Sequence, residues 1–167
     1  MAFESLGTIT MSYGGYASFT NIPQDGQALY AVMSVRAVSN SRDESCYFYI
    51  NGDTSNSHYY RRFTGLNDAS AENFRNEAPY VGQINGSQSL AGLHSGIRMT
   101  LGNYASTTTQ KAWQADSGMN SSYGQDNRLR VISGSWNQSN AITSIEFRTN
   151  QGFVAGSKVT LYKLTNA

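Results

Sequence analysis

The sequence predicts an all-β protein: an antiparallel β-sandwich of jelly-roll type, in a single domain over residues 1–167. Three observations carry this. Apolar and polar residues alternate in short segments, the period-2 signature of strands with one buried and one wet face. No window of roughly 11 or more residues shows the i, i+3, i+4, i+7 apolar recurrence of an amphipathic helix. Gly, Ser, Thr and Asn interrupt every candidate, and the best helical stretch, Asn67–Asn76, is short. Gly14-Gly15, Asp25-Gly26, Asn51-Gly52 and Asn85-Gly86 punctuate the chain. These dipeptides tolerate positive φ, as tight antiparallel connections require.

Taken in order, Gly7–Met11 and Ala17–Thr20 flank the first glycine pair. Pro23 then fixes a corner and pushes Ile22 into an extended conformation, which makes Ile22 a core plug. Leu29–Val38 is a long alternating run, and Cys46–Ile50 ends in the turn Asn51-Gly52-Asp53. Tyr59–Thr64, Tyr80–Ile84, Gly96–Leu101, Lys111–Ala115 and Arg128–Ser135 follow. In Ile142–Thr149 the apolar positions 145 and 147 alternate with polar 144, 146 and 148, and Val159 and Leu161 do the same for Lys158–Leu164. Eleven short strands favour a double-sheet jelly roll. An immunoglobulin-like sandwich comes second, because it needs fewer strands and its Cys and Trp spacing is missing.

Composition narrows the function. The chain is 167 residues with 12 Lys and Arg against 11 Asp and Glu, a net charge of +1, so no summed field draws it to nucleic acid or an acidic membrane. Only 14% of residues are charged, against about 25% in ordinary soluble domains, and the surface is polar but uncharged. Aromatics at 12%, with 11 Tyr, exclude disorder and favour adaptable interface contacts. No apolar run is long enough for a membrane span. The opening MAFESLGTITMSYGG lacks the basic and apolar regions of a signal peptide, so synthesis in a cytoplasm is expected. The single Cys46 cannot form an internal disulfide and is read as a small apolar filler.

Catalytic and metal chemistry find little support. His58 and His94 lie 36 residues apart in polar, loop-like settings, short of the clustered ligands zinc needs. Asn51–Asn56 has closely spaced oxygen donors but no closing Glu, so it is read as a turn. Most of the acids fall in loops; Glu146 lies in a strong strand, on its polar face. No phosphate-binding loop, dinucleotide fingerprint or nucleophile elbow is present. The expectation is a non-enzyme with no cofactor and no metal. Three residues stand out as interface or ligand contacts: Tyr60, Arg62 and Trp113. Strand alternation splits Tyr59, Arg61 and Phe63 from Tyr60 and Arg62; the expectation puts Phe63 in the core and Tyr60 and Arg62 on the polar face. Trp113 is equally a core residue or a sugar platform, whereas Trp136, following a strand, is expected to plug a sheet end.

Several phrases also recur in a fixed order: FTNIPQ (Phe19–Gln24), LYAVMSVRA (Leu29–Ala37), YINGD (Tyr49–Asp53), HYYRRFTG (His58–Gly65), GNYAST (Gly102–Thr107), SGSW (Ser133–Trp136), AITSIEF (Ala141–Phe147) and FVAGSKVTLYKL (Phe153–Leu164). Together, over almost the whole chain, they resemble a family of small jelly-roll virion proteins of tailed bacteriophages. The family pattern commonly ends in LYG, where this chain has Lys163. The resemblance implies a structural protein of the phage particle: capsid decoration or cement, or a neck, tail or fibre component. It implies the major capsid protein or other virion proteins as partners and a homo-oligomer, three copies favoured, and it carries no catalytic residue. The rival expectation is a carbohydrate-binding module whose Trp113 and tyrosines hold host glycans.

Overall fold

The computed structural model describes residues 2–55, 58–65, 70–75, 78–120 and 127–165. These form twelve strands and no helix: β1 (Ala2–Thr10), β2 (Ala17–Phe19), β3 (Ala28–Val35), β4 (Asp43–Ile50), β5 (His58–Gly65), β6 (Ser70–Arg75), β7 (Tyr80–Asn85), β8 (Ser95–Gly102), β9 (Lys111–Met119), β10 (Arg128–Trp136), β11 (Ile145–Arg148) and β12 (Lys158–Thr165). All eleven expected segments contain strand. The twelfth, β6, is not among the expected strands and falls within the short stretch Asn67–Asn76, the chain's best helical candidate: positions 70–75 pair antiparallel with β5, from Thr64↔Ser70 to Tyr59↔Arg75. Positions 67–69 and 76 lie outside the described residues. Weak helix propensity in a polar segment yields to a ladder of backbone bonds offered by a neighbouring strand.

An eight-stranded sheet runs β1-β12-β3-β8-β9-β10-β5-β6 and a four-stranded sheet β2-β11-β4-β7. The pairs β1–β12, β2–β11, β3–β8 and β4–β7 are all antiparallel and nested one inside the next, with successive pairs on alternate sheets. That is the jelly-roll wrap. Two hairpins are inserted into it, β5–β6 between β4 and β7 and β9–β10 between β8 and β11. Because β10 pairs with β5, the insertions together widen one sheet beyond the other.

The core lies between the sheets. Phe48, Ile50, Ile145 and Phe147 of the small sheet meet Leu29, Met33, Met99, Leu101, Trp113 and Leu161 of the large one. Cys46 is fully buried among them, and burial pushes its thiol pKa up. Ile22 is buried as expected of a plug, following Asn21 at φ 54°. The turn dipeptides divide in two. Gly14 and the Asn51-Gly52 pair take positive φ, whereas Gly26 and Gly86 do not and are there for space. A Cβ on Gly26 would sit 2.8 Å from the Tyr104 hydroxyl oxygen. The strand expected at Ile142 starts only at Ile145, because Asn51 Oδ1 accepts the amides of Thr143 and Ser144 before the sheet can.

Candidate functional site

Of the three contacts expected from the sequence, Tyr60 and Trp113 are interior. Tyr60 is 6% exposed, and its ring stacks on Tyr80 of β7 at 5.9 Å between centroids. Arg62 lies on the same inner face, its guanidinium 5.4 Å from the Tyr80 ring centre and ion-paired with Glu72. Trp113 is 2% exposed, packed edge-on against Phe48 at 5.0 Å and His58 at 6.0 Å. The face assignment of β5 is therefore reversed: Phe63, expected in the core, is 46% exposed. The ladder on either side of β5 is unbroken, so no bulge caused the reversal. Alternation defines two sets of side chains but not which set meets the opposite sheet. That is decided here by Tyr80, whose ring accepts a stacked Tyr and two guanidinium groups.

His58 corrects a second expectation. It opens β5 and is fully buried rather than loop-like. Burial lowers its imidazole pKa against the opposing pull of the Asp53 carboxylate and the Ser55 backbone. Trp136 does plug a sheet end, donating from Nε1 to Asp53 Oδ2 at 2.8 Å. Burial pushes the Asp53 carboxyl up, but hydrogen bonds from Ser55 and Trp136 prevail and hold it below the usual range.

Of the four buried Lys and Arg side chains among the described residues, Arg36, Lys111 and Lys163 tie separate segments together, a role the sequence did not reveal. Arg36 Nε, Nη1 and Nη2 donate to the carbonyls of Gly86, Leu90, Ser87 and Ser89 at 2.8–3.3 Å. Lys111 Nζ donates to those of Ser106, Thr109 and Ser139 at 2.6–2.7 Å. Lys163 reaches both Asp25 oxygens and Glu4. The Lys163 hydrogen bond holds the Asp25 carboxyl below its ordinary value. Asp25 and Asp53 thus move opposite to what a general acid needs at neutral pH. Among the described residues no group of three His, Cys, Asp or Glu side chains is placed to hold a metal ion.

The broadest exposed surface is the outer face of the eight-stranded sheet. It has two unlike ends. Toward β10 and β5, exposed Val131 lies opposite exposed Phe63, with Leu129 and Tyr59 also outward. A depression of about 330 Å³ forms there over Phe63, Ala71, Val131 and Ser133, with Arg61, Arg62 and Glu72 at its border. Toward β1, β12 and β3, Phe3, Tyr30 and Tyr162 form an aromatic ridge with centroids 5.4–6.4 Å apart. Beside that ridge Arg98 Nε and Nη2 donate to Asp116 Oδ2 at 3.1 and 3.0 Å. On the small sheet the outer face carries Tyr49, capped by the Arg148 guanidinium 3.7 Å above its ring centre. Compared with known proteins, the chain matches no family model, no curated protein and no solved structure.

Proposed function

We propose that this protein is a structural component of a bacteriophage particle, a capsid decoration or cement protein that acts by docking rather than by catalysis. The observation that carries this reading is the apolar end of this outer sheet face, where Phe63, Leu129 and Val131 are exposed together on adjacent strands. Contiguous exposed apolar surface marks an interaction site. The scarcity of charge supports the same reading, since interface cores are depleted of charged residues and enriched in aromatics. The partners are the major capsid protein and further copies of the chain, three in the favoured assembly.

A cryo-EM map of the particle tests this. The expected result is density for the jelly roll on the outer capsid with the β10–β5 end seated on the shell. Density at the neck, tail or fibres would move the protein to that part of the particle, and absence from purified particles would overturn a virion role.

A further inference from the structure

A second depression on the same sheet face, of about 280 Å³, is lined by Tyr30 of β3, Arg98 and Thr100 of β8, and Gln114 and Asp116 of β9. We propose that it is a binding site for a neutral saccharide, one or two sugar rings of a longer glycan. The inference goes beyond the docking role and concerns a different end of the face.

Three features select this class of ligand. First, the site pairs an aromatic side chain with hydrogen-bonding groups at fixed spacing. Tyr30 is backed by Tyr162, its direct partner on β12, and by Phe3. An aromatic surface takes the C–H face of a pyranose while neighbouring polar groups take its hydroxyls. Tyr30, Thr100 and Gln114 follow one another across three strands in a single row, with Arg98 and Asp116 paired in the next row. Second, these polar groups are unspent. The side chains of Thr100 and Gln114 have no hydrogen-bond partner among the described residues, and the Arg98–Asp116 pair uses one carboxylate oxygen, leaving Asp116 Oδ1 and Arg98 Nη1 for vicinal hydroxyls. Third, the one cation and one anion cancel. A polyanion would need surplus positive charge and an apolar peptide an apolar floor, so the complementary ligand is uncharged and rich in hydroxyls.

Other depressions offer less: in the one lined by Ser5, Ser18, Thr20 and Asn21 the aromatic, Phe19, is buried. On the small sheet Tyr49 is already covered by Arg148. At the hollow by Phe63 and Val131 the one carboxylate, Glu72, is ion-paired with Arg62, and its remaining neighbours are Arg61 and the small or apolar Ala71, Val131 and Ser133. Open space around the Tyr30 site is also built in: a Cβ on Gly96, Gly102 or Gly118 would meet nothing within 4 Å. With a volume just below that of typical small-molecule pockets, the site suits a short saccharide segment.

Saturation-transfer NMR on the full chain tests the proposal, with a panel of neutral gluco-, manno-, galacto-, rhamno- and N-acetylglucosamine oligosaccharides beside sialylated and sulfated ones. The expected result is binding of at least one neutral member, reduced about tenfold or more by Gln114→Ala and Asp116→Ala, as loss of a ligand hydrogen bond does. Phe63→Ala should leave that affinity unchanged. Tyr30→Phe should retain binding and Tyr30→Ala lose it, with circular dichroism separating loss of the site from loss of the fold. The proposal is overturned if no neutral member binds at roughly 10 mM, a concentration reaching even weak single-ring sites. It is equally overturned if only anionic members bind, or if Gln114→Ala and Asp116→Ala bind as the parent does.

Discussion

Tyr60 and Phe63 are three residues apart on one strand and face opposite environments, which makes them a direct test of what each face is for. Tyr60→Ala should lower protomer stability by about 3 to 4 kcal/mol in denaturant unfolding, because it removes a ring stacked inside the sandwich. Phe63→Ala should leave unfolding nearly unchanged and weaken assembly by about 1 to 3 kcal/mol, as truncation of an interface aromatic does. Equal destabilisation by both variants would remove the docking role assigned to the outer face. His58 supplies a second prediction at this scale. Its folded-state pKa lies below the ordinary 6.5. The unfolded chain therefore binds more protons as the pH falls through that value. The stability His58 contributes is complete above pH 6.5 and is lost as the pH drops from there toward the folded pKa. Denaturant midpoints taken between about pH 7.5 and pH 5 should fall in the parent and stay flatter in His58→Gln. The same slope in both proteins would assign the acid sensitivity to another group.

At the scale of elements, Arg36 shows how a loop is held without secondary structure. The strand β3 delivers the guanidinium under residues 86–90, whose carbonyls it satisfies. Arg36→Met keeps the apolar stem but leaves buried carbonyls unpaired, a loss of about 3 kcal/mol. Hydrogen exchange should rise at the amides of Gln88 and Ser89 before it rises in the strands; unchanged protection would mean the loop holds its own shape. The same element explains what was legible in the sequence. Strand positions could be read because the alternation in Val159–Leu161 or Ile145–Phe147 is a property of adjacent residues. The clamp could not, since Arg36 bonds to backbone carbonyls about fifty positions away, and carbonyls carry no residue identity. The binding face was hidden for a related reason. Tyr30, Thr100 and Gln114 are brought into one row by register across three strands, and nothing within any one of those segments marks it. Trp113 drew attention by its residue type, but Gly134, its partner across the β9–β10 ladder, clears the space that lets the indole lie inward.

For the whole molecule, a net charge of +1 and 14% charged residues predict how it associates. Light scattering should find an oligomer at tens of micromolar, and binding to capsids should change little between low and moderate salt, because few charges are available to be screened. Release of folded protein by moderate salt alone would contradict an apolar attachment. The nesting of the jelly roll has a further consequence, for biosynthesis. The strand β12 is made after the other eleven, yet it lies between β1 and β3, with Ala2 opposite Thr165. Until it emerges, β1 has no place in the large sheet, and two edges stay open to other chains. The large sheet therefore cannot close until β12 has been made and has emerged. Stalling the chain before Lys158 should yield a species that is protease-sensitive and prone to aggregate, and supplying residues 158–165 as a peptide should rescue it by filling the gap.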